Sequence, residues 1–463
     1  LQNAAATISL IYRERGLIAS ASIPQQSVVD GIVDITIVEA RFAGAKIDDS
    51  SKGDVHPDVL QRFVDAALPP GQMVNVYDID RALLLLNDLP GVSVTGGLQK
   101  GTQDGETSLV LVSNPKPLIS GAASLDNFGS TSTGTTRFVA SINANGSMGM
   151  GDLVSVNGIK TDGSDYGQIT LAMPVGSYGT KFSLNASAMQ YRIISSQFSS
   201  GNFTGTSEVL ASDLQHPLLR SRSANLYIQS TLNYKHFSNL SSGASSSNYN
   251  STSLGLSVSG NLRDEWMGGG QTEASLGMVV GYLNLSGSAN ESADASGAAT
   301  AGSFAKLKSN FSRSQTITPD LTLAAKLSGQ WAFKNLDSSE KFYLGGSDGI
   351  RAYPSSEGSG SSGYRMALEG TYSFVPTLKG QTFIDSGAVQ QYVDNNFSGG
   401  ATNNYLNYSG YGVGIIYEPN AQTSLQGVWS RRLGTNPYAQ TNGNDQDGTL
   451  LTDRFWLSGQ MNF

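Results

Sequence analysis

The chain has 463 residues, a net charge of −8 and no cysteine, and only 14% of its residues are charged, against about 25% in ordinary soluble proteins. The acidic balance leaves no basic stripe to neutralise phosphates, which excludes nucleic acid as a partner, and the lack of thiols excludes disulfides and thiolate metal sites. With 39% apolar residues, 19 Tyr, 17 Phe and 54 Gly, the composition suits a sheet with one apolar face and one uncharged polar face rather than a solvated chain.

No apolar run approaches the ~18 residues of a membrane helix. Any meeting with a bilayer must therefore be as a closed barrel, which satisfies every backbone group within itself. Leu1-Gln2-Asn3 shows neither the charged nor the apolar region of a signal peptide, so the start reads as a mature or trimmed terminus.

Residues 1–114 read as α+β. Ile8, Ile11 and Tyr12 suit a short helix ended by Gly16, and Leu17 to Ile23 and Ile32 to Val38 alternate as strands. A second unit starts with a strand from Ala45 to Asp49. Pro57 to Ala67 reads as a helix with Pro at its start, its inner face being Leu60, Phe63, Val64 and Leu68. Tyr77 to Leu89 reads as another, facing inward through Ile79, Leu83, Leu86 and Leu89 and stopped by Pro90-Gly91. Val92 to Gly97 and Glu106 to Val112 form a hairpin. The order is β-α-α-β-β, and the first unit shows only its last α-β-β. The expected divisions are 1–43, 44–114 and 115–463, with Pro115 and Pro117 at the last boundary.

Beyond residue 115, segments of about ten residues alternate apolar and polar, the signature of a transmembrane barrel when it repeats. Leu323, Leu327, Trp331 and Phe333 oppose Thr322, Lys326, Ser328 and Gln330; Leu226, Ile228, Leu232 and Tyr234 oppose Gln229, Thr231 and Asn233. About sixteen such segments reach from Leu118 to Phe463, within the known size range. Short turns, such as Pro174 to Ser177, Thr318 to Asp320 and Glu418 to Ala421, alternate with long connectors. The long ones are Ser195–Thr206, Ser238–Asn250, Ser286–Gly302, Asn335–Gly363 and Leu433–Leu450. An even count leaves both barrel ends on the side where the α+β units sit. The fold class is thus a membrane all-β, 16-stranded antiparallel barrel preceded by α+β units. On the last segment Phe455, Leu457, Met461 and the terminal Phe463 share one face; a final strand ending on an aromatic is typical of barrels inserted by the bacterial outer-membrane assembly machinery, the alternative being an ordinary edge strand.

Two stretches carry candidate function. Gly349-Ile350-Arg351-Ala352-Tyr353-Pro354 lies between the eleventh and twelfth segments, and Gly380-Gln381-Thr382-Phe383-Ile384-Asp385-Ser386-Gly387 lies on the thirteenth. If Ile384 faces lipid, Asp385 faces the lumen, within range of a bidentate pair with a loop arginine. The alternative is an unpaired loop arginine and a solvated aspartate. Gly358 to Gly363 matches a dinucleotide fingerprint by letters but lacks the strand and helix around it. His56, His216 and His236 are scattered, with no nucleophile elbow and no metal spacing. Neither an enzyme activity nor a cofactor is expected.

Ile350-Arg351-Ala352-Tyr353 followed by Gly380, Phe383, Asp385 and Gly387 resembles the two signature motifs of the Omp85 superfamily. The complete β-α-α-β-β unit resembles a POTRA domain, with 1–43 the remainder of a first one. One full and one partial POTRA before sixteen strands is similar to the transporters of two-partner secretion (type V secretion, the hemolysin secretion/activation type). The resemblance implies a bacterial outer-membrane protein, POTRA units in the periplasm, a sixth loop diving into the lumen, an Arg351–Asp385 pair and Tyr353 packed beside it. It further implies a monomer among outer-membrane lipids, inserted by the barrel assembly machinery. Its partner would be a large secreted protein with an N-terminal secretion domain, caught unfolded by the POTRA units and passed through the pore without ATP. Barrel assembly and passive porin activity are the alternatives. The family tetrad usually has Gly where this chain has Ala352.

Overall fold

The composition break near residue 115 is also a break in architecture in the computed structural model, which describes residues 2–27, 31–48, 50–195 and 200–463. Before it lie helix α1 (Gln2–Glu14), strands β1 (Ala19–Ser22), β2 (Thr36–Glu39) and β3 (Arg41–Ile47), helices α2 (Pro57–Ala67) and α3 (Val76–Asn87), and strands β4 (Val92–Lys100) and β5 (Glu106–Pro115). β1 and β2 pair as a two-stranded sheet, shorter than the alternation suggests. Ile37 and Val38 stay exposed, because two strands alone cannot cover both faces. β3 begins four residues earlier than the sequence pattern, and its expected end at Asp49 lies outside the described residues.

The sheet order β3-β5-β4, with β3 parallel to β5, is covered by α2 and α3. Leu60, Phe63, Val64 and Leu68 are all buried, as are Ile79, Leu86 and Leu89, whereas Leu83 is partly buried against them. Ala82 and Leu85 complete the inner face of α3. Phe42 and Ala40 join this core from the start of β3. Asn75 caps α3 by accepting from the Tyr77 N–H (2.9 Å).

Sixteen strands then close in sequence order, each antiparallel to the next. They are β6 (Ile119–Asp126), β7 (Arg137–Asn145), β8 (Leu153–Lys160), β9 (Ser164–Val175), β10 (Thr180–Arg192), β11 (Thr204–Arg220), β12 (Ala224–Ser241), β13 (Ala244–Asp264), β14 (Gly270–Asn284), β15 (Gly302–Thr318), β16 (Leu321–Ala332), β19 (Ser362–Val375), β20 (Leu378–Gln390), β21 (Tyr405–Tyr417), β22 (Thr423–Arg432) and β23 (Asp453–Asn462). Between β16 and β19 a two-residue pair, β17 (Phe342–Tyr343) and β18 (Ser359–Gly360), ties the limbs of one long loop together. The outward side chains are apolar and uncovered by protein, among them Leu232, Leu276, Trp331 and Ile384. That exposure is the lipid-facing surface of a barrel.

One expectation fails. Ser238–Asn250 is not a long loop, since β12 and β13 run on through it and reverse at Ser242-Gly243. Both turn residues have positive φ (49° and 82°), the two-residue geometry that matches strand twist. β12 has 18 residues and β13 has 21, roughly twice the 9–11 that cross a bilayer. The outer halves therefore stand in water, where apolar alternation has no physical cause. Their Ser and Asn side chains bond to one another instead, as Asn239 does to Ser247 (2.7 Å). The Ser195–Thr206 stretch also shortens, with β11 starting at Thr204; residues 196–199 of it lie outside the described residues.

The closing seam is the shortest pairing in the barrel, five residue pairs from Ser458↔Asp126 to Asn462↔Ala122. Reciprocal backbone bonds between Gly121 and Phe463 (2.9 Å each) extend it. The α/β region docks on the rim that carries the short turns. Arg220 forms a bidentate pair with Asp88 (2.8 Å twice), Arg222 another with Asp80, and the His56 N–H donates to the Gly149 carbonyl (2.8 Å).

Candidate functional site: the loop 6 tip and its seat

Counted from β6, the sixth connector on the far rim is residues 333–361, and it folds back into the barrel. Its ascending limb is anchored first. Glu340, buried, pairs with Lys235 on β12 (2.6 Å) and Lys306 on β15 (2.8 Å). Its carbonyl accepts from Lys306 and from Gln330 on β16. Burial alone would raise the Glu340 carboxyl, but the two lysines outweigh it and hold the group below its ordinary value.

The tip then presses against the opposite wall. Arg351 donates from Nε and Nη2 to the two oxygens of Asp385 on β20 (2.9 and 2.6 Å), and its backbone N–H donates to Asp385 Oδ2 (3.0 Å). Nη2 also meets Glu369 on β19 (2.9 Å), which holds Lys326 on β16 (2.7 Å). Charges thus alternate Lys326–Glu369–Arg351–Asp385, and each carboxylate has a cation. The guanidinium lies 3.3 Å above the Phe383 ring, a cation–π contact out of water. On the other side of the tip, the Arg351 carbonyl accepts from Ser430 Oγ on β22 (2.6 Å) and Trp456 Nε1 on β23 (2.7 Å). Arg351 is gripped through side chain and backbone by β19, β20, β22 and β23.

Strand alternation puts Phe383 and Asp385 inside and Thr382 and Ile384 outside. Asp385 is 1% exposed and Ile384 47%. Ile350, Ala352 and Tyr353 are fully buried. Tyr353 packs edge-on against Tyr408 of β21 (4.7 Å between centroids) and beneath Arg432 rather than on Arg351. The two motif glycines make room for different neighbours. A side chain at Gly387 would meet the Tyr364 carbonyl of β19 and Leu344 of the loop, and one at Gly380 would meet the outward ring of Phe374. A third glycine, Gly410 on β21, lies where a Cβ would fall 2.4 Å from the Ala352 methyl. Phe455 and Phe463 project outward on the last strand, at 63% and 59% exposure. Beside the tip a cavity of about 280 Å³ opens toward β16 and β19, lined by Lys326, Ser328, Asp348, Arg365, Glu369 and Gln381 among others.

Sequence reasoning missed Glu369, Ser430, Trp456 and Glu340. The first three sit on lumen-facing positions of strands whose apolar partners face out. That parity was a usable signal for Glu369, a charge flanked by outward Leu368 and Gly370, but it names no partner. His216 bonds Thr180 and His236 bonds Asn250, each inside its own strand neighbourhood.

A family model described as haemolysin secretion/activation protein ShlB/FhaC/HecB matches residues 105–416. The chain is 23% identical over 469 residues to the heme/hemopexin transporter protein HuxB of Haemophilus influenzae, covering 99% of this chain and 80% of that protein. It is 24% identical over 392 residues to the outer membrane transporter CdiB of Dickeya dadantii, covering 81% and 67%. Among solved structures, CdiB from Escherichia coli superposes with a TM-score of 0.78 at 18% identity, covering 100% of this chain and 84% of that one. BamA from Haemophilus ducreyi lacking POTRA domains 1–3 gives 0.59 at 12%, covering 100% and 93%. Identities this low speak for the fold.

Proposed function

This chain belongs to the haemolysin secretion/activation family, the outer-membrane transporters of two-partner secretion, and we propose that its Arg351–Asp385 lock holds loop 6 in the barrel between rounds of cargo passage. The family is one of secretion channels working with a secreted partner protein. Its match fits neither the barrel-assembly nor the passive-porin alternative.

The reading of residues 44–114 as a POTRA domain, and of 1–43 as part of another, is supported by the β3-α2-α3-β4-β5 order and its mixed sheet. Among the described residues β4 pairs only with β5. Beyond Val94, whose backbone N–H and C=O are taken by the Asn87 side chain, its other edge offers backbone to an extended segment, the means by which a sheet captures an unfolded chain. In this reading a large partner with an N-terminal secretion domain docks there, enters from the periplasmic rim and folds outside, without ATP. The barrel works as a monomer in outer-membrane lipid, after insertion by the assembly machinery; the outward Phe455 and Phe463 fit recognition by that machinery.

The observation that carries the lock is the four-strand grip on Arg351. Breaking one side of a buried pair costs about 3–5 kcal/mol, enough to shift loop 6 from seated to mobile. Arg351→Ala should cut secretion of the partner at least tenfold while the barrel still migrates as a folded species on unheated gels. Arg351→Lys should not restore it, because a lysine cannot reproduce the two-pronged contact. Full secretion by Arg351→Ala would remove the lock from the mechanism.

A further inference from the structure

The descending limb of loop 6 has its own anchor, on loop 8 (residues 433–452, between β22 and β23). Asp445 of loop 8 is fully buried and is the hub. It accepts both terminal nitrogens of Arg432 on β22 (3.0 Å each) and one from Arg454 on β23 (2.9 Å). Arg454 also reaches Asp447 (3.4 Å). Asn436 Nδ2 then bridges two carboxylates, donating to Asp445 (2.8 Å) and to Glu357 of loop 6 (2.9 Å). The backbone N–H of Gln446 donates to the other Glu357 oxygen (2.9 Å). Glu357 is 1% exposed. Among the described residues no cation forms an ion pair with it.

The cluster holds two guanidinium groups and three carboxyls. Asp445 and Asp447 take both cations, so a buried Glu357 is left with only neutral donors. A buried carboxylate without a counter-charge is unfavourable unless it takes a proton. We propose that loop 8 latches loop 6 inside the barrel through Asp445 and Glu357, and that the latch closes with a proton on Glu357. Both are positioning residues for the Arg351 tip. The proposal rests on loop 6 being the element that moves.

The titratable groups facing Glu357 are Asp445, Asp447 and Tyr438 of loop 8, Arg432 and Arg454 of the wall, and Tyr353 and Tyr408. The Glu357 carboxyl is raised to about 7, chiefly by burial, with Asn436 and Gln446 pulling it down and Asp445 and Asp447 pushing it up. A carboxyl raised in the closed state binds its proton more tightly there than in the open state. Closure is therefore strongest below the ordinary carboxyl range and weakens as pH rises through about 7.

The chain has no cysteine, so Asp348→Cys on loop 6 and Ser245→Cys on β13, both exposed, give a single pair of spin labels. The full chain in phosphatidylethanolamine–phosphatidylglycerol nanodiscs should show one narrow distance at pH 5.5. At pH 8 a second, open population should grow relative to the first by on the order of tenfold or more. Glu357→Gln, which keeps shape and neutrality, should stay narrow at pH 8. Asp445→Asn should be broad at both pH values. A parent distribution indifferent to pH, a Glu357→Gln variant that opens like the parent, or a narrow Asp445→Asn would each overturn the latch. The labels read loop 6 without cargo, so the latch stands or falls separately from secretion by Arg351→Ala.

Discussion

The α/β region and the barrel use the same apolar residue types in opposite directions. In the first, Phe63, Leu86 and Leu111 are buried together and charges face water. In the second, Leu232, Leu276 and Ile384 face outward and the polar side chains are enclosed. An apolar side chain in the α/β region is held by its neighbours, so its cost of removal depends on the cavity left behind. One on the barrel wall is held by lipid, so its cost depends on what replaces it. The barrel's specificity then has to come from polar contacts inside, and that is where Arg351, Asp385 and Glu340 lie.

Three substitutions put numbers on this contrast. Phe63→Ala should destabilise the α/β region by about 3–5 kcal/mol, seen as early proteolysis of residues 1–114 while the barrel stays intact. If barrel and α/β region were lost together, they would not be separable units. Leu232→Arg should cost the barrel about 2–4 kcal/mol through a charge set in lipid, measured by urea unfolding in bilayers. Asn233→Arg, one residue further and facing the lumen, should change stability by less than about 0.5 kcal/mol. Equal effects at 232 and 233 would contradict the assignment of faces.

How much of this the chain spells out follows from which physics writes each part. The helices over Pro57–Ala67 and near Tyr77–Leu89 were readable because one side must be apolar at a period of 3.6. The membrane-crossing strands were readable because lipid enforces a period of two. The outer halves of β12 and β13 were not, since apart from the Phe237–Tyr249 contact against Leu283 and Leu285 they are written in Ser and Asn, letters that serve loop and strand alike. At the site, Arg351 and Asp385 were legible as a motif and by strand parity. Glu369, Ser430 and Trp456 were not, because each is brought to Arg351 by barrel closure across 18 to 105 positions of chain. The network of Asp445, Arg432, Arg454 and Glu357 was hidden for the same reason.

The fit between Ala352 and Gly410 bears on the order in which this protein can change. The methyl on the loop occupies space that the wall leaves empty, 2.4 Å from where a Cβ at position 410 would stand. Gly410→Ala alone should therefore unseat the tip and lower secretion, and Ala352→Gly alone should be tolerated. The double variant should recover, with the methyl moved from loop to wall. A lineage can thus travel between a glycine and an alanine at the tip only by way of the variant with glycine at both positions. The path has a permitted first step and a forbidden one.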